Sequence, residues 1–476
     1  MRLRTLALTI SVALVLAGCS ASSVPGAGTV ARVIAAPDVA ASAVPINGAA
    51  GTSLEQQVRN SLTDIQQFWT KAYPLVSNGA PFKPLTGQIY SVTTGHPNTT
   101  EACMKAQATA ADNNAFYCRL DDSFAFDRVG LVNVLTEHLG NDFVPLVFAH
   151  ETGHLIQNRL GIERASILME SQADCASGAF MAAEAGDSPI KLTNRHYDIN
   201  PTDLDKIAIG LILLRDYSPH ASSVEGSHGD GFDRMSAFSD GFKNGVQFCY
   251  SSDWTQRQFT ERAYSSTQDD QAGGNEPEAD VVSPSGGLVG SLNSYWTSTF
   301  KTIGKTFKPV VVKQATTPTC SSNSSVKFGY CASDNTVYYD ATYAQSVYNS
   351  LPAIAQGSTG TVVVDDHTVG DYTLGALFAY AWGMSVRSQL GFSTADTSAL
   401  LGASCYVGSY SQSINVVATQ ENQFTLSPPD MDEATVTVLQ TAGQSAAFGA
   451  RNTTGFARII AFKQGYFGGI TGCNNI

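Results

Sequence analysis

The chain contains the same unit twice, and nothing else in the sequence constrains its fold as strongly. Phe68-Trp69-Thr70 recurs as Tyr295-Trp296-Thr297, and Phe82-Lys83-Pro84 as Phe307-Lys308-Pro309. Phe116-Tyr117-Cys118, followed by Asp121 and Asp127, recurs as Gly329-Tyr330-Cys331, followed by Asp334 and Asp340. Pro201-Thr202-Asp203-Leu204-Asp205 recurs as Pro428-Pro429-Asp430-Met431-Asp432. Gly231-Phe232 and Arg234, then Gly241, Gly245 and Cys249, recur as Gly455-Phe456 and Arg458, then Gly465, Gly469 and Cys473, at identical spacing. Self-similarity on this scale fixes the architecture before any single element is assigned. The body reads as two tandem units, 53–252 and 286–476, joined by an acidic linker at 253–285 that contains Gly, Pro and Ser.

Within the first unit, Leu54, Val58, Leu62, Ile65, Phe68 and Trp69 recur at helical spacing and predict a helix over 53–73. Short β-rich, turn-bounded runs at 82–92 and 116–127 predict strands. Helices are expected at 128–139, 142–160, 166–185, 202–217 and 231–248, with Gly161 as the residue that stops the second of these. Each unit is therefore expected to be α+β, a helical bundle carrying a small β-sheet.

The 142–160 segment contains His150-Glu151-Thr152-Gly153-His154. On a helix, positions i and i+4 lie on one face, so His150 and His154 can offer two imidazoles to one metal ion with Glu151 beside it. The next helix carries Glu170 and Asp174, again one face. Glu170 would complete a His2Glu zinc site, and Asp174 would accept the outward N–H of a ligand imidazole. In the second unit, His150, Glu151 and His154 correspond to Tyr380, Ala381 and Met384, while Leu400 stands opposite Glu170 and Ser404 opposite Asp174. The candidate ligand positions change together while Gly153/Gly383 and Cys175/Cys405 stay. That is the pattern of a scaffold that has lost its metal. Tyr380 and Met384 are expected to fill the vacated volume, and Arg234, retained as Arg458, to be structural, pairing with carboxylates within its unit.

The first 18 residues have a basic start (Arg2, Arg4) and an apolar stretch from Leu6 to Leu16, the form of an export signal. Leu16-Ala17-Gly18-Cys19 reads as a lipobox, with lipid attached at Cys19 and the mature protein held on the extracytoplasmic face of the cell membrane. Residues 19–52, rich in Ala, Val, Ser, Pro and Gly, read as a flexible spacer. A net charge of −13 with no basic patch argues against nucleic acid as a partner. Of nine cysteines, Cys19 is assigned to lipid and four remain in each unit. An even count in an exported chain points to disulfides, and four cysteines permit three pairings. The expected set is Cys103–Cys118, Cys175–Cys249, Cys320–Cys331 and Cys405–Cys473.

The motifs at 148–158, 169–175, 116–118 and 228–234 together resemble the thermolysin-type zincins that use glutamate as third ligand. The closer resemblance is to the bacterial putative neutral zinc metallopeptidases and their mycobacterial lipoprotein members. It covers most of the first unit. It implies zinc on His150, His154 and Glu170, with Glu151 as general base. The first function expected is a membrane-anchored zinc endopeptidase acting on proteins or peptides of the cell envelope. The interval from His154 to Glu170 is short for this resemblance and demands a tight turn over 161–165. A donor for the oxyanion is also needed. His228 is the first candidate, because the second unit has Asn452 there, with His196 and Tyr197 behind it. His96, His138, His220 and His367 are assigned to surface or core. Two other functions compete: a binding or scaffold lipoprotein with a vestigial or structural zinc site, and a zinc amidase acting on wall peptide stems.

Overall fold

The computed structural model describes residues 35–95, 103, 112–216, 227–260, 262, 264, 266–271, 273–283, 287–349, 369–396, 398–415, 424–440, 453–474 and 476. The signal segment and Cys19 lie outside them, as do His96, His220, His367, Asn452 and the side chain of His138. The first repeat runs α1 (Ser53–Val76), β1 (Ile89–Val92), β2 (Ala115–Cys118), β3 (Ser123–Asp127), α2 (Val132–Leu139), α3 (Phe143–Leu160), α4 (Ser166–Glu184), α5 (Pro201–Leu213), α6 (Gly231–Asn244) and α7 (Val246–Cys249). After a segment holding two short helices, α8 (Thr267–Gln271) and α9 (Glu278–Val281), the order repeats. It continues as α10 (Gly287–Thr302), β4 (Val311–Gln314), β5 (Phe328–Cys331), β6 (Thr336–Tyr339), α11 (Ala341–Asn349), α12 (Asp371–Leu390), α13 (Ser398–Ile414), α14 (Asp430–Gln440) and α15 (Gly455–Gly472).

Local chemistry explains the helix boundaries. The Thr52 hydroxyl accepts from Glu55 N while the Glu55 carboxylate accepts from Thr52 N, a reciprocal cap that starts α1. Asn200 and Asp203 form the same device at α5, with Pro201 at the first helical position. Helix α3 is apolar on nearly every side, and each residue from Phe143 to Gly153 is buried. A helix of that kind belongs in the middle of a bundle. The sheets are mixed and identical in plan. In the first, β3 pairs parallel with β1 and antiparallel with β2; in the second, β6 pairs parallel with β4 and antiparallel with β5. All four expected disulfides are present, two per repeat. The glycines before the last cysteine of each repeat allow helices to cross at backbone contact. A Cβ on Gly241 would stand 1.7 Å from Cys175 O, and one on Gly465 would stand 1.7 Å from Cys405 O.

The repeats share one continuous apolar core, and they meet through a contact in which each does to the other what the other does to it. Phe232 packs on Phe462 and Tyr466 with ring centroids 5.2 Å apart in both pairs. In the repeat register these contacts return as Phe456 on Phe238 (5.8 Å) and Phe242 (5.3 Å). Asp205 accepts from Gly455 N (2.9 Å) and Phe456 N (2.7 Å), capping α15; Asp432 accepts from Gly231 N (2.7 Å), capping α6. This is the self-complementary geometry of a two-fold dimer, here built into one chain.

Residues 35–52, part of the expected spacer, are laid along the first repeat. Asn47 bridges to Tyr90, Arg59 Nε donates to Val44 O (3.2 Å), and Val44 and Ile46 rest on the core. Part of the expected linker is likewise packed: Trp254 is buried, and Thr260 bonds Asp230 and Asp233. Among the described residues no helix is long and apolar enough to cross a membrane.

Candidate metal centre

Helix α3 presents His150 and His154 one turn apart, and α4 crosses it so that Glu170 faces both. The crossing is close because residue 153 is glycine: a Cβ there would lie 2.7 Å from Ala173 Cα. Gly161, left-handed with φ 65°, ends α3, and Ile162 N turns back to Gln157 O at 2.9 Å. Helix α4 begins five residues later at Ser166, which is how the short interval before Glu170 is accommodated.

His150 Nε2 lies 3.2 Å from Glu170 Oε2, His154 Nε2 lies 3.3 Å from the same oxygen, and the two nitrogens are 3.3 Å apart. Ligands about 2.0–2.1 Å from a tetrahedral zinc sit about 3.3–3.4 Å from one another. The three donors are therefore spaced as one face of a zinc tetrahedron requires, and the donor set suits that ion.

The outward ring nitrogens are held. His150 Nδ1 donates to Asp174 Oδ1 at 2.8 Å, as the sequence predicts. Asp174 is fully buried, and both its oxygens also accept from Arg234, each at 2.9 Å. Burial pushes the Asp174 carboxyl up, but the Arg234 and His150 charges outweigh it and bring it down to about 2. Arg234 thus makes the carboxylate pairing expected of it within its unit, on the residue that holds the His150 ring. His154 Nδ1 donates to Gln157 Oε1 at 2.9 Å, and Gln157 Nε2 donates to Met169 O and Gln172 Oε1. Sequence reading missed Gln157. Its position three residues after His154, on the same face, was the available signal.

Glu151 is buried beside the triangle, and its Oε2 accepts from Tyr117 N at 2.9 Å. Burial raises its carboxyl above the ordinary range, against the pull of the two histidines. The backbone of β2 therefore aims this carboxylate. His228 Nε2 lies 3.5 Å from Glu170 Oε2, and its Nδ1 lies 3.5 Å from Asp216 Oδ1. It stands at the site but outside the trio whose donor atoms converge within 4.8 Å. Asp216, which also accepts from His228 N, is a further residue the sequence did not reveal. His196 and Tyr197 are not brought here: His196 bonds Asp64 on α1, and Tyr197 bonds Ser61.

The metal triangle borders a cleft of about 850 Å³, lined by Phe116, Tyr117, Asn158, Ile162, Met169 and His228 among others. A smaller pocket of about 170 Å³ opens from His150 and Glu151 between Leu131, Phe143, Leu146, Val147, Leu211 and Leu214.

In the second repeat the same positions make an ordinary core. Tyr380 OH donates to Ser404 Oγ where His150 meets Asp174, and Ala381, Trp382, Met384 and Leu400 are buried around them. Arg458 turns to the carbonyls of Val438, Thr453 and Leu439.

The family profile described as "Putative neutral zinc metallopeptidase" matches residues 5–251 and again residues 250–444. No curated protein and no solved structure gives a significant match. With a match over most of its length and a zinc-shaped donor triangle in its first repeat, the chain belongs to the putative neutral zinc metallopeptidase family, and holds that unit twice.

Proposed function

We propose that this protein is a membrane-anchored extracytoplasmic zinc endopeptidase that cleaves protein or peptide substrates of the cell envelope. The observation that carries the reading is the equal-sided triangle of His150, His154 and Glu170 at the edge of a cleft, with a buried carboxylate beside it. His150, His154 and Glu170 would hold zinc, which would supply Lewis acidity to a bound water and to the scissile carbonyl. Glu151 takes the proton of the attacking water and delivers it to the departing amine. The Tyr117 N–H fixes one Glu151 oxygen and leaves the other for that work. His228, held by Asp216, donates to the oxyanion from the cleft side.

Glu151→Gln tests this. Turnover of a protein library should vanish while zinc content stays at the wild-type level. Turnover that survives the substitution rejects the role of Glu151. The anchoring rests on the residues at 16–19, and Cys19→Ser should release the protein from the membrane fraction; a variant that stays membrane-bound rejects lipidation at that residue.

A further inference from the structure

The second repeat buries a group of carboxyls at a place where the first repeat has a lysine. In the first repeat, Asp142 and Asp203 stand together at the starts of α3 and α5, and Lys206 Nζ lies 3.3 Å from Asp203 Oδ1. In the repeat register Asp203 corresponds to Asp430 and Lys206 to Glu433. Asp371, first residue of α12, takes the part that Asp142 plays beside α3. Two carboxyls and an ammonium are replaced by three carboxyls.

Asp371, Asp430 and Glu433 are each 1% exposed, and one oxygen from each lies within 4.8 Å of the others. Asp371 Oδ2 accepts from Glu276 N (2.9 Å), Glu433 Oε2 from Thr373 N (2.9 Å), and Asp430 Oδ2 from Ser427 N (2.7 Å). Among the described residues, Asp371 Oδ1 and Glu433 Oε1 have no hydrogen-bond partner. Asn275 adds an amide oxygen: its Oδ1 and Glu433 Oε1 both border Gly370, so close that a Cβ there would meet them at 1.8 and 2.3 Å. The backbone grips one oxygen of Asp371 and of Glu433 and leaves the other buried without a donor among the described residues. Leaving such oxygens unpaired is costly, and three adjacent buried carboxyls cannot all ionise without a cation.

The geometry points to a divalent cation of the hard, oxygen-preferring class, calcium, held by Asp371, Asp430 and Glu433 where the first repeat uses the Lys206 ammonium. The donors are all oxygen, which disfavours zinc and copper. Calcium accepts irregular oxygen sets at about 2.3–2.6 Å, whereas magnesium demands a tight octahedron and keeps its waters. The ion would tie the start of α12 to the start of α14 and to the 275–276 segment. It is independent of the zinc centre and would act on stability.

The test uses the full-length, zinc-saturated protein purified without added calcium. Expected results are one calcium bound per chain on titration and a melting temperature raised by several degrees in millimolar calcium. Glu433→Lys installs the first repeat's own solution. It should abolish calcium binding and the thermal shift, keep the zinc content, and melt no lower than calcium-free wild type. Should that variant fail to fold, Glu433→Gln should fold and lose the bound calcium. Wild type that neither binds calcium nor responds to it overturns the proposal, and the carboxyls are then held by protons. A calcium response that persists in the Glu433 variants, or a response to magnesium alone, overturns it equally.

Discussion

His150 Nδ1–H donates a hydrogen bond to Asp174 Oδ1 across 2.8 Å, and that same oxygen accepts from Arg234 at 2.9 Å. One carboxylate thus fixes the tautomer of a candidate ligand while an arginine fixes the carboxylate. Groups in this position change metal affinity about 10–100-fold when removed. Asp174→Ala should weaken zinc binding by that factor. It should also lower the melting temperature, because Arg234 is left buried without its carboxylate. Competition against a chromophoric chelator measures the first effect. Unchanged zinc affinity would show that α3 alone orients His150.

The α3–α4 crossing sets where Glu170 stands relative to the histidines. Gly153→Ala puts a Cβ 2.7 Å from Ala173 Cα, which pushes the helices apart. Zinc affinity should fall about tenfold or more, by the same reasoning on misplaced ligands, and stability should fall with it. Gly383→Ala makes the equivalent clash at 2.9 Å from Ala403 Cα, where there are no ligands. It should cost stability and leave zinc affinity alone. Equal effects of the two on zinc would refute this account.

Glu184 is wholly buried beside Asp64, and burial, then the Asp64 charge, push it up to about 9. The folded state therefore keeps a proton that the unfolded chain, at its ordinary value of 4.5, gives up. Its stabilising contribution is complete below that value and is lost progressively as pH rises towards about 9. Glu184→Gln cannot ionise and should be spared this loss. The melting temperature of the variant relative to wild type should climb between pH 5 and pH 9. A difference that does not change with pH would mean that Glu184 is ionised in the fold.

Asp432 caps α6 of the first repeat and pairs with the buried Arg215. Asp432→Ala removes both contacts, at a cost of about 3–5 kcal/mol if the charge is left uncompensated. Asp205→Ala removes only the cap of α15, at about 1 kcal/mol for lost capping. Calorimetry should show one transition for wild type and a larger fall in melting temperature for Asp432→Ala than for Asp205→Ala. The reverse order would argue against the Arg215 pair.

The pocket beside Glu151 is lined on its apolar side by Leu131, Phe143, Leu146, Val147, Leu211 and Leu214. Cleavage products from a peptide library should carry a Leu- or Phe-sized residue on one side of the cut. Val147→Trp should fill the pocket and move the preference to Ala or Gly. A library profile without such a residue would assign the pocket no part in selection.

The candidate metal donors were legible because helical spacing puts His150 and His154 on one face and Glu170 and Asp174 on one face of the next helix, and because the second repeat loses them as a group. Tyr117 was not legible in its role, since it acts through a backbone N–H that every residue but proline has. Residues 35–46 look like a spacer by composition, yet their backbone carbonyls are bonded by Arg59 and Gln56. The repeat register showed that Asp205 and Asp432 correspond, but a linear comparison cannot reveal that each reaches across to the other copy.

That crossing has a consequence for stoichiometry. An excised first repeat presents Asp205 and the Gly231 amide on a single surface, so two molecules can satisfy each other as a homodimer. Light scattering should find that species, with two zinc ions per particle. Joined in one chain, the two copies satisfy each other internally, and only the first carries the His2Glu donor set.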